Sequence, residues 1–215
     1  MTDRPTLPGN MPNAFVAGRG NLSPEDQALV ARRQAAMGPA YRLFYETPVH
    51  LVRGEGVWLH DAQGEAYLDT YNNVASVGHC HPRVVEAMAQ QAAVFASHTR
   101  YLHEGILAYS ERLLGYFPPE LSHVMFTCTG SEANDLALRI TEAHTGGTGI
   151  IVTENAYHGV TRAIAAMSPS LGQGVASGEA VRVVPAPDPL RLKGDLGQAF
   201  AGHVQAAIDD MIAAG

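Results

Sequence analysis

The sequence has few lysines, cysteines and tryptophans: its 215 residues contain one lysine, two cysteines and one tryptophan. Cys80 and Cys128 lie in apolar or glycine-rich surroundings, so no disulfide framework is implied. No apolar run approaches the length that spans a bilayer, so a membrane is not an expected partner. Lysine and arginine do not cluster, and the net charge is −7, so a nucleic acid is not an expected partner either.

The sequence also lacks a secretory signal. Residues 1–20 are rich in proline, glycine and asparagine and lack the basic start and apolar block of such a signal, so we expect a cytoplasmic protein.

The sequence shows no metal-binding pattern either. His79, Cys80 and His81 are adjacent, which is too tight for a tetrahedral site built from one loop. No second Cys/His pair stands at a zinc-finger spacing, so no metal site is predicted.

Composition, helix-capping residues and turn residues predict three segments in the chain. Residues 1–22 form a loose arm, either disordered or wrapped around a partner subunit. Residues 23–75 form a helix and an antiparallel meander that belong to a small domain. Ser23 caps the helix, Gly38 ends it, and turn residues separate three short apolar runs between residues 48 and 69. Residues 76–215 form the first half of a larger α/β domain.

The larger domain is organised around residues 123–135, HVMFTCTGSEAND. The apolar run 124–128 predicts a buried strand, and the chain then turns through Thr129, Gly130 and Ser131. A helix follows from Glu132 to His144, and Gly146 is expected to stop it. Unpaired amides and the positive end of the helix macrodipole make such a turn suitable for a phosphate. The alternative is an ordinary turn in which Ser131 caps the helix.

The next predicted strand, 149–153, ends in the sequence ENAYHG at 154–159. If the sheet is parallel, this aromatic-His-Gly turn lies at the same edge as Gly130. Strand 181–185 and helix 195–214 continue the alternation, and helices 83–96 and 105–116 precede it. Three parallel strands make a thin sheet for so many apolar helices, so the domain is expected to be incomplete.

Four motifs together resemble the class III aminotransferases, pyridoxal-phosphate enzymes with the aspartate-aminotransferase fold (fold type I). They are GVWLHDAQGEAYLD at 56–69, YNNVASVGHCHP at 71–82, SHTRYLHE at 97–104, and TGSEAND at 129–135 followed by ENAYHG. The resemblance covers about residues 40–215. SHTRYLHE most resembles the branch that contains alanine–glyoxylate aminotransferase 2-like proteins and amino-alcohol-phosphate phospho-lyases.

The resemblance implies a role for each matching residue. Gly130 and Ser131 would bind the phosphate of pyridoxal phosphate, and Tyr157 would stack on its ring. His158 and Gly159 would shape the wall beside that ring. Two other residues, Glu132 and Asn134, would hold the turn near the ring, although Glu132 could equally serve the helix dipole. Asn72 is a weaker candidate for contacting the substrate.

The scarcity of lysine matters for this chemistry. Pyridoxal-phosphate enzymes use a Schiff-base lysine and an acid paired with the pyridinium nitrogen. Lys193, the only lysine, lies in a polar setting and matches neither motif position of the family. No catalytic residue is therefore assigned, and the resemblance implies that the lysine and the aspartate lie beyond residue 215.

The sequence leaves three functions open. The first is a transaminase that moves an amino group from an amine to a keto acid and is a homodimer when full length. The second is a phospho-lyase acting on an amino-alcohol phosphate. The third is a non-catalytic, truncated protein that binds a phosphate ligand or a partner through exposed apolar surface.

Overall fold

The computed structural model describes residues 13–71, 76–172, 174–192 and 194–214. Contacts group residues 11–113 into one compact unit and residues 114–215 into another. This boundary lies downstream of the domain boundary predicted at residue 75. That prediction concerned the domains of a complete enzyme, and it stays a prediction.

The first unit begins with helix α1, Pro24–Met37. The Ser23 hydroxyl accepts a hydrogen bond from the Asp26 amide at 3.0 Å and donates one to the Asp26 carboxylate at 2.8 Å. Gly38 ends the helix with a φ of 68°, which glycine adopts without strain. The predicted start and end of this helix are therefore confirmed.

The predicted antiparallel meander is also confirmed. It consists of β1 (Leu51–Glu55), β2 (Trp58–Asp61) and β3 (Ala66–Leu68), with β2 in the centre. The buried Asp61 carboxylate accepts hydrogen bonds from the Gln63 and Glu65 amides at 3.0 and 2.8 Å and from the Tyr67 hydroxyl at 2.9 Å. Desolvation raises the pKa of Asp61, but these hydrogen bonds outweigh it and leave the pKa below its ordinary value of 3.8.

Two helices complete the first unit, α2 (Pro82–Val94) and α3 (Glu104–Leu114). The chain enters α2 from the meander through His79, whose backbone bonds reciprocally with Gly56. The His79 ring also lies 2.7 Å from the Asp69 carboxylate. His79, one of the three adjacent residues for which no metal site is predicted, therefore pairs with a carboxylate.

The second unit contains the parallel part of the fold. Helix α4 (Gly130–Thr145) leads to β4 (Ile150–Thr153), and β5 (Val181–Val184) pairs with β4 in parallel, Ile150 opposite Val181. The short helix α5 (Arg162–Ala165) lies between the two strands in sequence, and helix α6 (Leu196–Ala214) packs on β5. An ion pair between Arg182 and Asp210 joins β5 to α6.

The prediction of a strand at residues 124–128 is wrong. Residues 121–127 have no regular secondary structure, and the side chain of Met125 is 68% exposed. A strand requires hydrogen bonds to a neighbour, and among the described strands none pairs with this segment. Three parallel strands were expected, and the described residues form two of them, β4 and β5.

Much apolar surface stays exposed. Large apolar side chains are exposed in both units, among them Leu102 in the first and Leu190 in the second. In the described residues, the buried apolar side chains are Val152, Ile164 and Val184. Within the same residues, no helix is both long and apolar enough to cross a membrane.

Candidate functional site

The candidate site is built on the first turn of α4. Thr129, which precedes the helix, accepts hydrogen bonds from the Glu132 amide at its side chain (3.1 Å) and from the Ala133 amide at its carbonyl (3.0 Å). Helix geometry leaves the amides of Gly130 and Ser131 without an intrahelical acceptor. The helix begins two residues earlier than predicted, and Thr129 rather than Ser131 caps it.

Glu132 stabilises this helix start from the other side. Its carboxylate accepts a hydrogen bond from the Cys128 amide at 2.8 Å, which ties the preceding segment to the first turn. A negative side chain in the first turn is also favoured by the helix macrodipole. This contact matches the structural alternative given for Glu132, and a role beside a cofactor stays a prediction.

The approach to the helix N-terminus is open. Gly130 is exposed, and a Cβ atom placed on it would meet no atom within 4 Å. Protein atoms therefore leave space for an anion beside Gly130. The open turn, the oriented amides and the nearby hydroxyl fit the phosphate of pyridoxal phosphate.

The aromatic-His-Gly turn at 157–159 lies against this helix start. The Asn134 side-chain amide donates to the His158 carbonyl at 2.7 Å, and the Val160 amide donates to the Ser131 hydroxyl at 3.1 Å. The proximity predicted for the two turns is thus confirmed. Because Ser131 Oγ accepts this bond, its own proton remains available to a ligand.

Gly159 allows the close contact between the two turns. Its φ is +134°, and a Cβ atom at this position would lie 2.7 Å from Cα of Ser131. Only glycine combines this backbone conformation with so close an approach. The position predicted to shape the wall is therefore fixed by backbone geometry. His158 contributes its backbone carbonyl to the same contact, and its amide donates to Ser168 instead.

Tyr157 stands out from this fixed turn with 62% of its surface exposed. The backbone on both sides is held, since the Ala156 carbonyl accepts from the Ser170 amide at 3.1 Å and the His158 amide donates to Ser168 at 3.0 Å. An exposed aromatic ring on a fixed backbone can serve as a stacking surface.

Sequence reasoning missed Ser168, which is buried behind the turn. A serine directly before a proline gives no sequence signal of burial. Two other residues considered from sequence, Asn72 and Lys193, lie outside the described residues.

Comparison with known proteins identifies the family. Residues 43–214 match the family described as aminotransferase class-III. The chain belongs to the class III aminotransferases. This family uses pyridoxal phosphate, acts on small-molecule amines and keto acids, and includes both transaminases and phospho-lyases among the relatives of this chain.

Two curated relatives represent those two activities. A Drosophila melanogaster protein named alanine–glyoxylate aminotransferase 2-like is 41% identical over 160 residues, which are 73% of this chain and 32% of the fly protein. A Caenorhabditis elegans protein named ethanolamine-phosphate phospho-lyase homolog 1 is 36% identical over 171 residues, which are 78% of this chain and 36% of the worm protein. The chain thus spans about a third of the length of these relatives.

Solved structures agree with this assignment. A phospholyase from Arthrobacter in complex with phosphoethanolamine has 43% identity and a TM-score of 0.80, over 87% of this chain and 45% of that chain. An (S)-enantioselective omega-transaminase from Thermomicrobium roseum has 24% identity and a TM-score of 0.72, over 89% of this chain and 47% of that chain. The second likeness shows the shared α/β fold alone.

Proposed function

We propose that this chain forms the cofactor-phosphate site of a pyridoxal-phosphate-dependent transaminase. The complete enzyme, a homodimer, would transfer an amino group from an amine or amino acid to a keto acid. The observation that carries the proposal is the open first turn of α4 directly beside the turn that bears Tyr157. Family membership supports the choice of cofactor.

The described residues would divide the work of binding. The amides of Gly130 and Ser131, with the Ser131 hydroxyl, would hold the phosphate at the positive end of α4. Tyr157 would cover one face of the ring and exclude water from it. Asn134 would keep the Tyr157 turn (residues 157–159) at a fixed distance from the phosphate, through its hydrogen bond to the His158 carbonyl. Bound here, pyridoxal phosphate supplies an electron sink for carbanion chemistry.

We infer that the 215 residues alone do not turn over substrate. A reactive lysine requires a desolvated or electrostatically tuned pocket, and the only lysine lies in the polar sequence Leu190-Arg191-Leu192-Lys193-Gly194. The chain would thus bind the cofactor phosphate and provide the ring wall, while the reactive amine comes from outside these residues. A cytoplasmic location remains part of the proposal.

The phosphate site is tested by Gly130→Asp. An aspartate in the first turn interacts favourably with the helix macrodipole and has open space, so thermal unfolding should be unchanged or slightly raised. The same charge repels a phosphate, so binding of inorganic phosphate and pyridoxal phosphate, measured by calorimetry and absorbance, should be lost. Gly130→Asn is the matched neutral control and should bind more tightly than Gly130→Asp. Equal binding by both variants would place the anion elsewhere.

A phospho-lyase is the second candidate. It is favoured by the 43% identity to the Arthrobacter phospholyase that was solved with phosphoethanolamine. The turn at Gly130 and Ser131, the phosphate turn, would serve either reaction. Substrate tests are therefore what distinguishes the two activities. An enzyme that contains this chain in its complete reading frame should be given phosphoethanolamine, with and without a keto acid. Release of phosphate without a keto acid supports the lyase, whereas amino transfer that depends on a keto acid supports the transaminase.

A further inference from the structure

Ser168 is unusual because its hydroxyl is deeply buried. In the described part of the chain, the buried polar residues are Asp61 and Ser168, and only 2% of Ser168 is exposed. It lies with Ile164, which is completely buried, and with the buried Gly159. Buried hydroxyls are retained where they satisfy backbone groups that would otherwise lack a partner.

The Ser168 hydroxyl contacts three backbone groups. It accepts a hydrogen bond from the His158 amide at 3.0 Å, and it lies 2.7 Å from the Ile164 carbonyl and 3.2 Å from the Gly159 carbonyl. A hydroxyl has one proton, so it donates to one of these carbonyls at a time. The bond to Ile164 is an ordinary local bond within a helical turn. The bonds to residues 158 and 159 reach outside that turn.

We propose that Ser168 is a positioning residue that fixes Tyr157 beside the phosphate turn, an inference that rests on the proposed function. The Tyr157 turn is held from two sides. Ser131 and Asn134 bond to it from α4, and Ser168 bonds to it from behind, at the residue directly after Tyr157. The hydrogen bonds of the Ser168 hydroxyl go to backbone groups of residues 158, 159 and 164, so it acts through the backbone of the turn.

Because Ser168 holds the Tyr157 turn and not the first turn of α4, its loss should weaken the binding of some ligands and not of others. Removing the Ser168 hydroxyl leaves the His158 amide without its acceptor. A buried amide without an acceptor is unfavourable, so the turn should move until water can accept the hydrogen bond. The first turn of α4, capped by Thr129, keeps its own hydrogen bonds. A ligand that needs both the phosphate turn and the Tyr157 ring should therefore lose affinity, whereas a ligand that needs only the phosphate turn should not.

The experiment compares four forms of the 215-residue chain: unchanged, Ser168→Ala, Ser168→Cys and Ser110→Ala. Cysteine fills nearly the same space as serine but is a weak acceptor, so it removes the bond without creating a cavity. Ser110 is the matched control, because its hydroxyl donates to the Ile106 carbonyl at 2.7 Å within α3, the same kind of local bond that Ser168 makes to Ile164.

Three quantities are measured for each form: affinity for pyridoxal phosphate, affinity for inorganic phosphate, and hydrogen exchange of the His158 amide. Both Ser168 variants should bind pyridoxal phosphate about fivefold more weakly, as expected for one net hydrogen bond. They should bind inorganic phosphate within about twofold of the unchanged chain, and the His158 amide should exchange about tenfold faster. Ser110→Ala should change none of the three.

Each other outcome has a defined meaning. If both Ser168 variants bind pyridoxal phosphate as the unchanged chain does, the positioning role is refuted while the proposed function stands. If they lose both ligands equally, Ser168 supports the fold as a whole and the inference is refuted. If the unchanged chain binds neither ligand, the proposed function itself fails, and the inference fails with it.

Discussion

Replacing Gly159 with alanine is expected to separate the two turns of the candidate site. The added Cβ would lie 2.7 Å from Cα of Ser131, a backbone atom that cannot rotate away. The φ of +134° is also one that residues with a side chain rarely adopt. If the turn stayed in place, the strained φ would cost about 1–3 kcal/mol. Overpacking would add about 1–3 kcal/mol.

The chain can avoid the overlap by moving the Tyr157 turn away from α4. That movement breaks the bond from Val160 to Ser131 and the bond from Asn134 to His158, at about 1 kcal/mol each. It is the less costly route, and some φ strain remains with it. We therefore expect Gly159→Ala to lower the free energy of unfolding by about 2–4 kcal/mol.

Urea unfolding followed by circular dichroism measures this loss, and hydrogen exchange of the Val160 amide locates it. Gly202→Ala is the matched control, because a Cβ at Gly202 meets no atom within 4 Å inside α6. That control should stabilise the chain by up to about 1 kcal/mol. An unfolding midpoint for Gly159→Ala equal to that of the unchanged chain, with the Val160 amide still protected, would refute the steric argument.

Four further predictions concern other parts of the chain. Tyr67→Phe should raise the pKa of Asp61 toward its ordinary value of 3.8, because the Tyr67 hydroxyl helps to lower it; a carboxyl titration by NMR checks this. Since the folded pKa of Asp61 is lowered, its contribution to stability is present above the unfolded pKa and should be lost as pH falls below about 4; the urea midpoint measured across that range checks the sign. Borohydride reduction after incubation with pyridoxal phosphate should leave Lys193 without stoichiometric label on peptide mass mapping, and full labelling would contradict the proposed absence of a reactive lysine. Asp210→Asn removes the partly exposed ion pair with Arg182 and should cost no more than about 1 kcal/mol, less at high salt.

Local signals in the sequence predicted most of the helices and strands. Ser23 and Gly38 bound α1 as expected, Gly146 ends α4 in the left-handed conformation, and the meander forms where the turn residues indicated. These features depend on side chains a few residues apart, which a sequence displays directly. The proximity of Gly130 to the Tyr157 turn was predicted from the rule that parallel strands end at one edge. The contact is present, but hydrogen bonds from α4 make it and the segment before Gly130 forms no strand.

Two of the three failures concern interactions between distant residues. The apolar composition of residues 124–128 indicated a strand, but a strand needs a hydrogen-bonding neighbour, and local composition does not identify one. Ser168 was missed because its burial depends on how residues 158, 159 and 164 fold over it. The cap was misplaced by two residues because both Thr129 and Ser131 can cap a helix.

The large exposed surface has a consequence for the heat capacity of the chain. Its exposed apolar side chains already contact water in the folded chain, so unfolding hydrates less apolar surface than it does where such side chains are buried. The heat-capacity change of unfolding should therefore lie below the value of about 3 kcal/mol/K expected for a protein of this length. Stability would then vary little with temperature, without a sharp optimum. Any molecule that covers the apolar surface should bind with a strongly negative heat-capacity change, which calorimetry can detect without knowledge of the site.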